Sequence, residues 1–149
     1  MSVVWSLVLF VHVTAAAFWV GGQLMLSFVV MPALRRDSPP DQIRAIAQAA
    51  GRRFTAVTNH ALLPALLVTG PLLAWHDGTR WSNLATTAFG HLVIAKVALV
   101  VVVFVMASFH GFVARRTSRR GVRIYAIITV VASVGVLALA AFLAMAPGP

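Results

Sequence analysis

Four of the five histidines and the single lysine of this 149-residue chain fall inside or at the edge of long apolar runs. They are His12, His60, His91, His110 and Lys96; the fifth histidine, His76, sits in a polar turn. A titratable group inside a membrane helix is expensive, so it faces a partner, a cavity or a ligand. Gly90 to Val113 concentrates three of these groups, His91, Lys96 and His110. At helical spacing Lys96 and His110 lie about 40° apart around the axis and about 21 Å apart along it. Val103 and Ala107 fill the stripe between them. Imidazole can ligate a metal, relay a proton or hydrogen-bond across helices, and a lysine near a span end can also snorkel outward.

The elements that carry these groups follow from composition. The chain is 60% hydrophobic and 10% charged, where a soluble domain is about one-quarter charged. It is expected to be an all-α integral membrane protein with no room for a separate soluble domain. Four apolar runs, at about 3–30, 54–75, 90–113 and 124–145, are each long enough to cross a bilayer. The first has no basic start and is too long for a signal-peptide core, so it reads as a retained span. Cysteine is absent, which removes disulfides and thiolate metal sites.

Charge sets the expected orientation. Arg35, Arg36, Arg44, Arg52 and Arg53 fall in the first connection, Arg115, Arg116, Arg119, Arg120 and Arg123 in the third, and Arg80 alone in the second. The positive-inside rule places basic loops 33–53 and 114–123 on the cytoplasmic side, with both termini outside. The expectation is an antiparallel four-transmembrane-helix bundle, N-out and C-out, in a bacterial-type inner (plasma) membrane. The basic runs flank spans, so their partner is the lipid bilayer and not nucleic acid.

Local signals refine the elements. The first span ends before Met31–Pro32. Ser38-Pro39-Pro40-Asp41 is a helix-start signal with Ser38 or Asp41 as cap, and Gln42 to Ala50 reads as a short amphipathic surface helix. His12, Ala16, Trp19 and Gln23 share a face of the first span, and Gly21 and Gly22 allow close approach. Arg53, His60, Pro64 and Leu67 share a face of the second; Pro64 can kink it and free a carbonyl. Trp75 and Trp81 read as interfacial anchors. The fourth span has only Tyr125, Thr129 and Ser133 as polar groups, and its flat apolar surface suits a homodimer.

Depth then selects chemistry. In this topology His60 lies about 10 Å, and His110 about 5 Å, inside the cytoplasmic ends of their spans. Two imidazoles at similar depth on neighbouring helices match the axial ligation of a haem, with the bundle core as a dry slot. His12, His91 and Lys96 lie in the outer half. Copper is the alternative, with Met25, Met31 and Met106 as candidate thioether ligands.

Three stretches carry a family resemblance. His12 to Leu34, HVTAAAFWVGGQLMLSFVVMPAL, looks like the first helix of CopD-like copper-resistance membrane proteins. Arg52-Arg53-Phe54 through Thr69-Gly70 is similar to their second helix, and Phe89-Gly90-His91 through Lys96 to Leu99 to their third. The pattern is shared with HemJ-type protoporphyrinogen IX oxidases, whose early histidine, third-helix lysine and later histidine correspond to His12, Lys96 and His110. Met31-Pro32-Ala33-Leu34-Arg35 is the more CopD-like form of the first helix end, and His60 belongs to neither pattern. That additional histidine favours a bis-histidine haem site.

The reading is a haem b-binding inner-membrane redox protein carrying one or two haems. It would transfer electrons or oxidise a porphyrin-type substrate, coupled to the quinone pool or a redox partner. His60 and His110 are the expected axial pair. His12, with His91 as a candidate companion in the outer half, would serve a second haem or a substrate. Lys96 would hold a propionate or similar anion. The alternative is copper uptake or resistance, with His12 and His91 as transient ligands. A subunit anchoring a redox partner through its basic loops is the third reading.

Overall fold

The computed structural model describes residues 2–80, 82, 84–116 and 118–145, with the side chains of 107, 108, 110–115, 119 and 144 left aside. Among the described residues every regular element is helical. Among these residues four helices are long and apolar enough to span a membrane. They are α1 (Val3–Asp37), α2 (Pro40–His76), α3 (Ala88–Arg116) and α4 (Arg119–Met145). Contacts divide the chain into two units, Met1–Leu73 and Ala74–Pro149.

The first unit is a helical hairpin with a two-residue corner. Ser38 ends α1 in an extended conformation, its N–H bonded to the Leu34 carbonyl at 3.1 Å. Pro39 is the N-cap of α2, and Pro40 takes the first helical position, where a missing N–H costs nothing. Neither Ser38 nor Asp41 caps this helix, contrary to the sequence expectation. The expected surface helix over Gln42 to Ala50 is the first part of Pro40–Val57, which runs on into the second span.

Helix continues past Met31–Pro32, where the first apolar run ends, as far as Asp37. Both long helices widen into a π turn, over Met25–Val30 in α1 and Thr58–Leu62 in α2. Each π segment ends two residues before a proline, Pro32 or Pro64. The residue before each proline bonds five positions back, Met31 N–H to the Leu26 carbonyl and Leu63 N–H to the Thr58 carbonyl. A proline ring collides with the carbonyl four residues earlier. Adding one residue to the turn moves that carbonyl aside, and the helix continues.

The covered stripe of α2 runs through Ile43, Ala47, Ala50, Phe54 and Thr58 at steps of three or four residues, and Thr69 continues it three turns on. On α1 it includes His12, Ala15, Trp19, Gly22 and Leu26. His12 meets Thr69 and Gly22 meets Phe54, so the helices run antiparallel. The Gly22 approach is close: a Cβ there would run into the Phe54 ring.

The second unit pairs α3 with α4. Before α3, Gly78 adopts φ 91° and closes a Schellman turn, with Thr79 N–H on the Ala74 carbonyl at 2.9 Å and Gly78 N–H on Trp75 at 3.2 Å. Arg80 donates to the carbonyls of Trp75 at 2.8 Å and Thr79 at 3.0 Å, and lies 5.6 Å from the Trp75 ring centroid. Trp81 lies outside the described residues. Thr87 caps α3 through Gly90 N–H at 3.0 Å, and Ser118 caps α4 through Gly121 N–H at 3.3 Å.

The α4 face that meets α3 carries all three polar groups of the fourth span. Tyr125 donates to the Met106 carbonyl at 2.6 Å, Thr129 to Tyr125 at 2.9 Å and Ser133 to Thr129 at 2.8 Å. Ser133 is fully buried, and Gly135 lies opposite Leu99. The pairs Met106–Tyr125 and Leu99–Gly135 again make the helices antiparallel.

Gly22→Val is expected to force the Phe54 ring off α1 and destabilise the protein by about 1–3 kcal/mol, the usual cost of overpacking. A Cβ at Gly21 meets nothing within 4 Å. Gly21→Ala is therefore expected to be neutral or to stabilise by up to about 1 kcal/mol through helix propensity. Thermal unfolding of the two variants in detergent checks the contrast.

Candidate functional site

His12 has the most constrained imidazole of the first unit. Its Nδ1 lies 2.8 Å from Thr69 Oγ1. The Thr69 hydroxyl bonds the Ala65 carbonyl at 2.6 Å. A carbonyl only accepts, so the single hydroxyl proton goes to Ala65. Thr69 must therefore accept from His12, which fixes Nδ1 as the protonated nitrogen. A Cβ at Gly70 would stand 3.4 Å from His12 Cε1, an ordinary van der Waals contact. Thr69 thus supplies the acceptor that holds the ring. Its sequence signal was a small polar residue beside a glycine, which is too common in membrane helices to single out.

His60 lies in the π turn of α2 and is exposed. Its Nδ1 donates to the Ala56 carbonyl, one turn back, at 2.8 Å. In the neutral ring this bond leaves the lone pair on Nε2. Arg53, Pro64 and Leu67 are exposed, as His60 is, and the π turn shifts the register between Arg53 and Pro64. Two residues before His60, Thr58 is buried, and its hydroxyl has no hydrogen-bond partner among the described residues.

The second unit holds the remaining candidates. His91 is exposed at the start of α3, and its Nε2 lies 2.9 Å from the Ala85 carbonyl. That bond ties the ring to the loop preceding the helix. Lys96 is half-buried on the covered stripe of α3, in register with Phe89, Leu99 and Val103. It makes no hydrogen bond or ion pair among the described residues. His110 belongs to α3, but its side chain lies outside the described ones. The Tyr125 hydroxyl bonds the Met106 carbonyl, the usual helical acceptor for the residue 110 N–H. Tyr125 therefore anchors α4 at the turn that carries His110. In sequence it read only as one polar residue in an apolar span.

The site residues thus fall into two groups. His12 and His60 lie in the first unit, and His91, Lys96 and His110 in the second. Among the described residues no three His, Cys, Asp or Glu side chains gather as a metal-binding group. In each of the two first-unit histidines Nδ1 is held by an oxygen of α2. For His60 that is the arrangement in which a neutral imidazole presents Nε2 to a metal.

In protein labelled with 15N at histidine, Thr69→Val is expected to abolish the slowly exchanging His12 Nδ1–H signal. It should also cost about 1 kcal/mol, the scale of an interhelical hydrogen bond in a membrane. Thr69→Ser should retain both signal and stability.

A 66-residue stretch of the chain is 51% identical to part of an uncharacterized protein of Aquifex aeolicus (strain VF5). The match covers 44% of this chain and 44% of that relative's length, less than half of either. No protein-family model matches the chain, and no solved structure does.

Proposed function

We propose that the chain is a haem b-binding membrane redox protein, with His60 and His110 as an axial pair and electrons passing to or from the quinone pool. The observation that carries this reading is the His60 ring. Its Nδ1–H is held on the Ala56 carbonyl, and its Nε2 is an exposed lone pair within an apolar span. Such an atom is costly in hydrocarbon without a partner. Ligation through Nε2 satisfies it while the Nδ1 bond fixes the tautomer.

The donor set fits the group. Imidazole is the usual axial ligand where potential is tuned by burial and hydrogen bonding. When bound, haem supplies one-electron chemistry at its iron. The chain's own residues bind and orient. His60 presents Nε2 from a π turn whose register is fixed by Pro64, and His110 is its proposed counterpart on α3. Lys96, half-buried on α3 without a counter-ion among the described residues, is suited to a propionate or another anionic substrate group. His12, held by Thr69, would serve a second haem or a substrate. A bacterial inner membrane with both termini outside, as the arginine distribution suggests, completes the reading.

Absorption spectra of detergent-purified protein, oxidised and dithionite-reduced, with metal analysis of the same sample, test it. The expected result is sharp b-type bands with about one or two irons per chain. His60→Ala and His110→Ala should each abolish or shift the bands while the protein still inserts. Wild-type spectra from both variants would overturn the ligand pair. Bound copper without haem bands, from cells supplied with haem, would establish the copper-handling alternative instead.

A further inference from the structure

The first unit carries an open groove of about 290 Å³ between α1 and α2. Phe18, Gly22, Met25 and Val30 line it from α1, and Arg53 and Phe54 from α2. From Phe18 to Val30 it extends about 18 Å along α1 at the helical rise. Arg53 is the one charged residue in this lining. Neither His60 nor His12 lines the groove.

We infer that this groove holds one anionic phospholipid, its phosphate on Arg53 and an acyl chain along the wall formed by Phe18, Gly22 and Met25. The walls are hydrocarbon in character, and in a bilayer the molecules that fill such a space are acyl chains. Its depth is set by Gly22, where a side chain would collide with Phe54. The charge specifies the head. A guanidinium stays protonated and matches a phosphate with paired donors. Arg53 is exposed and makes no ion pair or hydrogen bond among the described residues. The acidic residues of this unit, Asp37 and Asp41, flank the hairpin corner about a dozen or more residues away in sequence. Arg35, Arg36 and Arg52 are exposed toward the same end of the hairpin and add to the attraction for anions. A zwitterionic lipid would bring its own cation to this cluster and bind less well.

The test is native mass spectrometry of the full chain released from micelles doped with equal amounts of phosphatidylglycerol and phosphatidylcholine. The expected result is one phosphatidylglycerol retained per chain, with about tenfold preference, a difference of one charge-assisted contact. Arg53→Gln should remove the preference. Met25→Trp, at a 60% exposed position where folding tolerates bulk, should fill the groove and lower retention of both lipids. Arg44→Gln, off the groove, should change neither. Equal retention of the two lipids by wild type would overturn the inference. So would an equal effect of Arg44→Gln and Arg53→Gln, which would mark net charge alone. Retention unchanged by Met25→Trp, full displacement of the lipid by millimolar inorganic phosphate, or co-purification of a quinone in its place would each overturn the lipid assignment.

Discussion

In hydrocarbon, a backbone N–H or C=O without a partner costs several kcal/mol, and the architecture of this chain answers to that cost. It explains why every described element is a helix, and also why two helices are not uniformly α. Pro32, Pro64 and Pro71 each remove a donor within a long helix. Before the first two the helix widens, with Met31 and Leu63 reaching five residues back, whereas Pro71 sits in α geometry. The chain keeps its axis and gains a stretch where side chains are re-aimed. His60 belongs to one of these stretches and Met25, on the wall of the lipid groove, to the other.

The same economy governs the polar side chains. Thr69, Thr129 and Ser133 donate to carbonyls one turn back on their own helices, and His60 does the same with its ring. In each case the donor is satisfied on its own helix. His12 and Tyr125 differ. They bond across to another helix and so set its position, His12 on Thr69 within the first hairpin and Tyr125 on Met106 within the second. Each hairpin thus has an interhelical polar link and a glycine contact, at Gly22 against Phe54 and at Gly135 against Leu99.

Much of this was legible in the sequence. Four spans follow from apolar length alone. The shared face read for Arg53, His60, Pro64 and Leu67 assumed uniform α spacing, which the π turn over Thr58–Leu62 interrupts. The helix boundaries were less legible, because a proline was weighed as a stop when a π turn can absorb it. Gln42 to Ala50 looked like a separate surface helix because its polarity differs from the next span, yet nothing between Ala50 and Phe54 breaks the backbone. The partners of His12 and Tyr125 were not legible. Thr69 is one of several small polar residues in apolar surroundings, and Met106 contributes a carbonyl, which every residue possesses. The fourth span looked flat because its hydroxyls are spaced four apart and face one way, toward α3.

Arg80 has a consequence for how the chain reads electrically. Its guanidinium is spent on the Trp75 carbonyl, in the last turn of α2, and on the Thr79 carbonyl just beyond it, with the Trp75 ring centroid 5.6 Å away. There it offsets the partial negative charge of a helix C-terminus. With Asp77 beside it, the second connection has a formal charge of zero and presents little free cation to its surroundings. A count of basic residues therefore overstates the free positive charge that the second connection offers to lipid or solvent.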